Sequence, residues 1–404
     1  MKKVIATLLV CSALLTSACV ADSGTQPDTT GEVNAEPVAD LKQNMTGFSL
    51  DDMSALDAID FDAYSVFLIG EYSNVAANTA ILLSFIKYLG ANHGVRHILH
   101  SGRYAEGLAL NSVLRTGDET QLADFMKAQR FPTREMHDFY MDLYEYNQTI
   151  PEENRIGFVG IGVTTEHLYS IGVMRGIMNR GGEMPAAVSE VYEAIGSGFL
   201  DLAQENRAKA VEDAFNTVRE YEAVFREYFG ADYNDFYFGF QSLWQSYVGV
   251  NTGATGSTYN QDERLGFMCD NLSDMFSALE LGKCIGMLPA GHVELDSAGL
   301  KDGNLNQLSL AEHMNTQYKL TAGKVLSFKT VYHKSLYLLS SAGTTMAVSG
   351  DLNDGELEAA MVAASTKDYA VFGTDGISNE GKPLSDSAQY LLLVKYSVAS
   401  EYYV

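Results

Sequence analysis

The sequence predicts an α/β fold, a mixed and largely parallel sheet flanked by helices, with a long helical insertion forming a cap. Three observations predict it. Between Ser65 and Asp118 short apolar runs alternate with helix-compatible segments; from Thr164 to Leu281 the runs vanish and apolar residues recur at helical spacing; after Cys284 the short runs return. The first run, Ser65-Val66-Phe67-Leu68-Ile69, stops at Gly70-Glu71 and leads into Val75 to Gly90. The second, His97-Ile98-Leu99-His100, stops at Ser101-Gly102 and leads into Tyr104 to Leu114. Unbroken apolar runs suit strands buried on both faces, and strand–helix–strand order makes them parallel. The pair is expected to lie with carboxyl ends side by side, where open α/β sheets bind their ligands. Glu71 and Ser101 are thereby expected at one mouth.

Ahead of this unit, Lys2 and Lys3 precede an apolar core from Val4 to Leu15 and the small residues Thr16-Ser17-Ala18 before Cys19. That pattern is a secretory signal over residues 1–18. A cysteine directly after the small residues resembles a bacterial lipobox, with Thr16 where the usual pattern has Leu. The resemblance implies a palmitate-type lipid on Cys19, anchorage to a membrane through it, and an extracytoplasmic place in the bacterial cell envelope. Val20 to Asn44 is rich in Asp, Glu, Thr, Gly and Pro and predicts a flexible tether, drawn over residues 19–46. Residues 47–404 then form a single domain, with order expected from about Phe48.

Along that domain, Glu119 to Arg130 and Arg134 to Gln148 read as helices and Ile156 to Ile161 as a third buried strand. The helical insertion runs from about 164 to 281. Within it Tyr233, Phe236, Phe240, Trp244 and Tyr247 share one helix face. Such a stripe is either the packed core of the cap or the lining of an apolar ligand cleft. Asn251 to Ser257 reads as a linker, since it lacks the spacing and the Lys of a phosphate-binding loop. Further strands are expected at Cys284 to Leu288, Lys324 to Val331, Ser335 to Leu339, Tyr369 to Gly373 and Tyr390 to Lys395. Helical patches at Ser309 to Gln317 and Glu356 to Ala364 separate some of them.

The formal charge of −25, which falls to −27 without Lys2 and Lys3, repels phosphate backbones, so nucleic acid is excluded as a partner. With Cys11 in the signal and Cys19 lipidated, Cys269 and Cys284 remain, and an extracytoplasmic compartment permits a disulfide between them. No cysteine has a second ligand at zinc spacing. His97 and His100 fall on opposite strand faces, so neither metal nor cofactor is expected.

Taken in order, Gly70-Glu71-Tyr72-Ser73-Asn74, then Ser101 with Asn111 and Thr116-Gly117-Asp118, then Gly160-Ile161-Gly162, then Gly291-His292-Val293 resemble the motifs of the erythromycin-esterase-like family. Arg264 to Asn271 and Gly323 to Ser327 are further echoes. The resemblance spans about Ala63 to the C-terminus. It implies metal-free esterase chemistry in which a histidine of the first motif, supported by the glutamate, activates water against a lactone carbonyl. The departures fall on those positions. Ser73 or Asn74 occupies the histidine slot, Ser101 stands in place of the second motif's acid, and Gly162 in place of the third motif's Asp. Neither Ser nor Asn can take and hold a proton, and losing that group typically costs a factor of ~10² to 10⁴.

The expected outcome is a homologue that keeps the cleft and binds a small apolar or lactone-like ligand without catalysis. The alternative is a hydrolase of an ester or lactone using Glu71 and His292, with or without Ser101, in altered roles. Expected ligand contacts are Tyr72, Asn74 and Arg103 by the strand ends and Tyr237 and Trp244 from the cap.

Overall fold

The computed structural model describes residues 41–163, 168–179, 181–196, 198–249, 261–296, 308–339, 343–348, 355–379 and 382–403. The signal, Cys19, most of the tether and the Asn251 to Ser257 linker lie outside these residues.

Eight strands form one sheet in the order β1-β9-β12-β6-β2-β5-β3-β4. In chain order they are β1 (Met45–Phe48), β2 (Val66–Glu71), β3 (His97–His100), β4 (Gly157–Gly160), β5 (Cys284–Pro289), β6 (Val325–His333), β9 (Tyr369–Gly373) and β12 (Tyr390–Lys395). Leu336–Leu338 (β7) and Thr345–Ala347 (β8) pair as a separate hairpin, as do Ser378–Asn379 (β10) and Lys382–Pro383 (β11). All pairings from β12 to β4 are parallel, whereas β9 runs antiparallel to both β12 and β1. The architecture is therefore the mixed, largely parallel α/β sheet that the sequence predicts.

One neighbour differs. β5 lies between β2 and β3, with Phe67 and Ile98 each opposite Ile285. The two opening strands are parallel and share an end, but they are not adjacent. Cys284, Ile285 and Leu288 are fully buried, so the strand that follows the insertion runs through the sheet's interior.

Strand alternation divides the core. Phe67, Ile69, Ile98, Ile285 and Phe328 face helices α1 (Ala77–His93) and α4 (Arg134–Thr149). Val66, Leu68, Leu99, Cys284, Leu288 and Val325 form the other core. α2 (Tyr104–Thr116) and α3 (Glu119–Lys127) continue the first layer. Helices α1 and α2 both stop where a glycine takes left-handed backbone, Gly94 at φ 75° and Gly117 at φ 67°.

The insertion holds α5 (Leu168–Met178), α6 (Ala186–Ala194), α7 (Gln204–Glu220), α8 (Glu222–Phe229) and α9 (Tyr233–Trp244), which surround a core of their own. Its last helix, α10 (Gln261–Ala278), instead covers the second sheet face through Leu265, Met268 and Leu272. The aromatic stripe is core. Phe236 stacks on Phe229 at 4.1 Å, and Tyr233, Phe236 and Phe240 are buried.

Two sequence expectations are corrected here. Leu41 is buried, and Met45 and Thr46 pair with Phe372 and Val371, so residues 41–46 belong to the domain and not to the tether. An edge strand this short and polar carries too little apolar pattern to be seen in sequence. Cys269 on α10 and Cys284 on β5 are both buried free thiols, not a disulfide. Burial pushes both thiols up, Cys269 to about 12, because the low-dielectric interior disfavours the thiolate.

Candidate functional site

At the carboxyl ends of β2, β5 and β3 a cavity of about 230 Å³ opens, lined among others by Glu71, Asn78, His100, Ser101, Tyr140 and Met287. The alternation that buries Ile69 and Ile98 places Glu71 and His100 on that same face. A larger surface groove, about 860 Å³, runs between the N-terminal segment and helices α1 and α4 and meets the cavity at Thr79 and Phe139. Its walls are solvated side chains such as Asp51, Asp57 and Asp142. The smaller cavity is the candidate site because it lies at the strand ends and holds the carboxyl group whose titration is most altered.

Glu71 ends β2. Its Oε1 accepts from the Ser73 hydroxyl at 3.2 Å and its Oε2 from the Asn78 amide at 2.7 Å. Asn78, on the first turn of α1, also donates to the Tyr72 carbonyl at 2.8 Å and accepts from the Tyr332 hydroxyl at 2.7 Å. Every polar atom of that amide is thus engaged, and the carboxylate is held in one place. Burial raises the Glu71 carboxyl to about 7, against the opposing effect of the hydrogen bonds from Ser73 and Asn78. Among the described residues no cation pairs with it to oppose that rise.

Ser101 reaches the same cavity. His292 does not line it. That residue sits in the turn Ala290–His292 after β5, and its neighbours Val293 and Glu294 are tied to β6, where the Ser327 hydroxyl donates to the Val293 carbonyl and Lys329 pairs with Glu294 at 2.8 Å. Its Nδ1 is buried with no hydrogen-bond partner among the described residues, and burial together with the nearby Arg264 pushes the ring down to about 4. The expected Glu71–Ser101–His292 set is not assembled, because Glu71 is bonded to Ser73 and Asn78 and neither Glu71 nor Ser101 bonds to His292.

The other expected contacts divide. Asn74 lines the cavity in left-handed backbone at φ 64°, and its amide donates to the Leu338 carbonyl at 3.1 Å, which latches the β7–β8 hairpin to the rim. Tyr72 packs on Tyr337 of that hairpin at 4.7 Å. Arg103 lines neither described cavity: it is 0% exposed and donates to Ser170 at 2.8 Å beneath the cap. Tyr237 and Trp244 line neither described cavity and stack within the cap, Trp244 on Phe215 at 5.3 Å.

Gly162 explains one departure physically. A Cβ there would lie 1.7 Å from the Ser101 carbonyl oxygen, and one at Gly160 would lie 1.9 Å from that of Arg103. The loop after β3 has closed onto β4, so no acidic side chain fits at 162.

Sequence reasoning missed Asn78, His100 and Glu106. The strand alternation that separates His97 from His100 was visible, and the structure keeps it: His97 bonds the Leu281 carbonyl at 2.8 Å while His100 faces the cavity. Among the described residues no cluster of His, Cys, Asp and Glu is arranged to hold a metal ion.

No family model matches the chain, and neither does any curated protein. Three solved structures share its fold. A Bacillus cereus protein superposes with TM-score 0.69 at 13% identity, covering 92% of this chain and 99% of that one. A succinoglycan biosynthesis protein gives 0.67 at 13%, with 92% and 99% covered. An erythromycin esterase mutant in its open conformation gives 0.66 at 13%, with 87% and 97% covered. At such identity the likeness shows the fold alone: the chain carries an erythromycin-esterase-like α/β fold.

Proposed function

We propose that this chain is an envelope lipoprotein, anchored through Cys19, whose esterase-like domain takes a small neutral molecule into the cavity at Glu71 without the proton-transfer set that the family motifs imply. One observation carries the reading. The fold's mouth persists as a formed cavity with a fixed, titratable carboxyl group, while His292 is not among its lining residues and Gly162 leaves no room for an acid. A cavity of about 230 Å³ is smaller than the roughly 300–1,000 Å³ of sites for drug-sized ligands, so a macrolide is a poor candidate and a small ester, lactone or alcohol a better one.

A second reading, hydrolysis of such an ester or lactone, is favoured by the Glu71 carboxyl, raised to about 7 and so able to give or take a proton at neutral pH. It requires a partner other than His292. Ligand-observed NMR of the mature protein against small esters, lactones and alcohols tests the first reading. Binding is expected for some of these and is expected to weaken in Glu71→Gln. Equal binding by that variant, or no binding by the wild type, would overturn it. Lipidation is tested by mass spectrometry of the membrane-extracted chain beside a Cys19→Ser variant, which should lose the lipid and the membrane association.

A further inference from the structure

We propose that His100, oriented by the Glu106 carboxylate, is the proton-accepting group of the cavity, placed to take the proton of a water or hydroxyl-bearing molecule lying between it and Glu71. The proposal rests on the hydrolase reading and supplies the partner that reading lacks.

His100 is the last residue of β3 and lies two strands from Glu71, with Met287 of β5 on the floor between them. Two strand spacings separate the backbones by about 10 Å, which leaves room for a few ligand atoms between the side chains. The His100 Nε2 is buried, makes no hydrogen bond among the described residues, and lies 3.7 Å from Oε2 of Glu106. That same oxygen accepts the backbone N–H of Arg103 at 3.3 Å, which fixes it, and Glu106 is only 6% exposed.

Gly102 makes the approach possible. A Cβ there would lie 2.1 Å from the Glu106 Oε2 and 2.4 Å from the His100 Nε2. The rings of Phe125 and Phe158, at 6.3 and 6.1 Å, flank the imidazole.

A carboxylate beside one ring nitrogen favours the proton on that nitrogen and leaves the lone pair on the other. Here Nε2 is the nitrogen turned to Glu106, and Nδ1, which makes no hydrogen bond within the described protein, is the acceptor. A base oriented by a buried carboxylate is the arrangement of the catalytic triads, reached here with Glu106 and His100 on consecutive elements.

In the step itself, the O–H bond of the bound molecule breaks, its electron pair stays on oxygen, and the proton forms the Nδ1–H bond. The resulting imidazolium is stabilised by Glu106, and return of the proton restores the site. Besides Glu106 and Glu71, the titratable groups around this position are Tyr140 of α4, Tyr169 of α5 and Asp124 of α3. The first two are raised by burial and by the Glu106 charge, and Asp124 also acts on Tyr169. Glu106 is a positioning residue; His100 is the group that would touch the reacting atoms.

The test needs no substrate. The mature protein is treated with diethyl pyrocarbonate across pH, and modification is read at each histidine by peptide mapping. His100 is expected to react with a single pH midpoint. Glu106→Gln should move that midpoint down, Glu106→Asp should recover part of the change, and His292→Ala should leave it in place. An unreactive His100, or a midpoint unmoved in Glu106→Gln, would overturn the proposal. If Glu106→Gln proves unstable, the histidine ¹⁵N spectrum of the wild type decides: an Nε2–H tautomer is expected, and an Nδ1–H tautomer sinks the idea. Because ligand binding does not enter, a failed ligand panel with an intact His100 profile would bring down only the binding reading.

Discussion

Glu71 shows how one side chain couples the fold to its chemistry. Its carboxyl, raised from 4.5 to about 7, binds its proton more tightly folded than unfolded. The sign follows: stability from this group is fully present below pH 4.5 and is lost as pH rises through 7, by an upper bound of about 3 kcal/mol. Urea melts should therefore show Glu71→Gln gaining on the wild type between pH 5 and pH 8, and a constant difference would refute the buried-carboxyl account. Gly162 makes the opposite kind of point. Because its Cβ position overlaps the Ser101 carbonyl at 1.7 Å, Gly162→Ala must push strands apart, and a loss of at least about 2 kcal/mol is expected in the same melts. An unchanged midpoint would show that the loop after β3 moves freely.

At the level of elements, the cap and the N-terminal strand behave differently from what their sequences suggest. The stripe from Tyr233 to Trp244 reads equally well as ligand lining or as core, since both present aromatic groups at helical spacing. Packing decides, because Phe225, Phe229, Phe236 and Phe240 fill the space between the cap's own helices. β1 was hidden for the opposite reason: four residues, three of them half-buried, leave no periodic pattern. It nevertheless covers the edge of β9 and brings Phe48 against Phe85 at 6.2 Å. A chain starting at residue 41 should melt like the mature protein, whereas one starting at residue 49 should melt several degrees lower and aggregate through the uncovered β9. Equal melting of the two would remove β1 from the folding unit.

For the molecule as a whole, no cross-link among the described residues supports the sheet; apolar clusters on its two faces do, with another inside the cap and a fourth that packs Leu357 and Met361 on Val331, Phe372 and Leu393 of β6, β9 and β12. Thiol titration of the mature chain should accordingly find Cys269 and Cys284 unreactive in the native state and both free once unfolded without reductant. Neither thiol appearing before reduction, and both appearing after it, would reinstate the bridge. The mouth also belongs to this scale. It is assembled from β2, β3, β5 and the start of α1, elements separated by as much as the whole cap.

The sequence by itself determined the α/β class, every strand of the eight-stranded sheet but β1, the position of the cap, and the place of Glu71 and Ser101 at one end of the sheet. Those features are local: apolar runs, their period and their stops set them residue by residue. Only the tertiary structure decided that β5 enters between β2 and β3, that His292 does not line the cavity, and that His100 does, with Glu106 beside it. Such juxtapositions depend on strand order and on how closely loops approach at Gly102 and Gly162, and a one-dimensional pattern does not encode which distant segment fills a gap in a sheet.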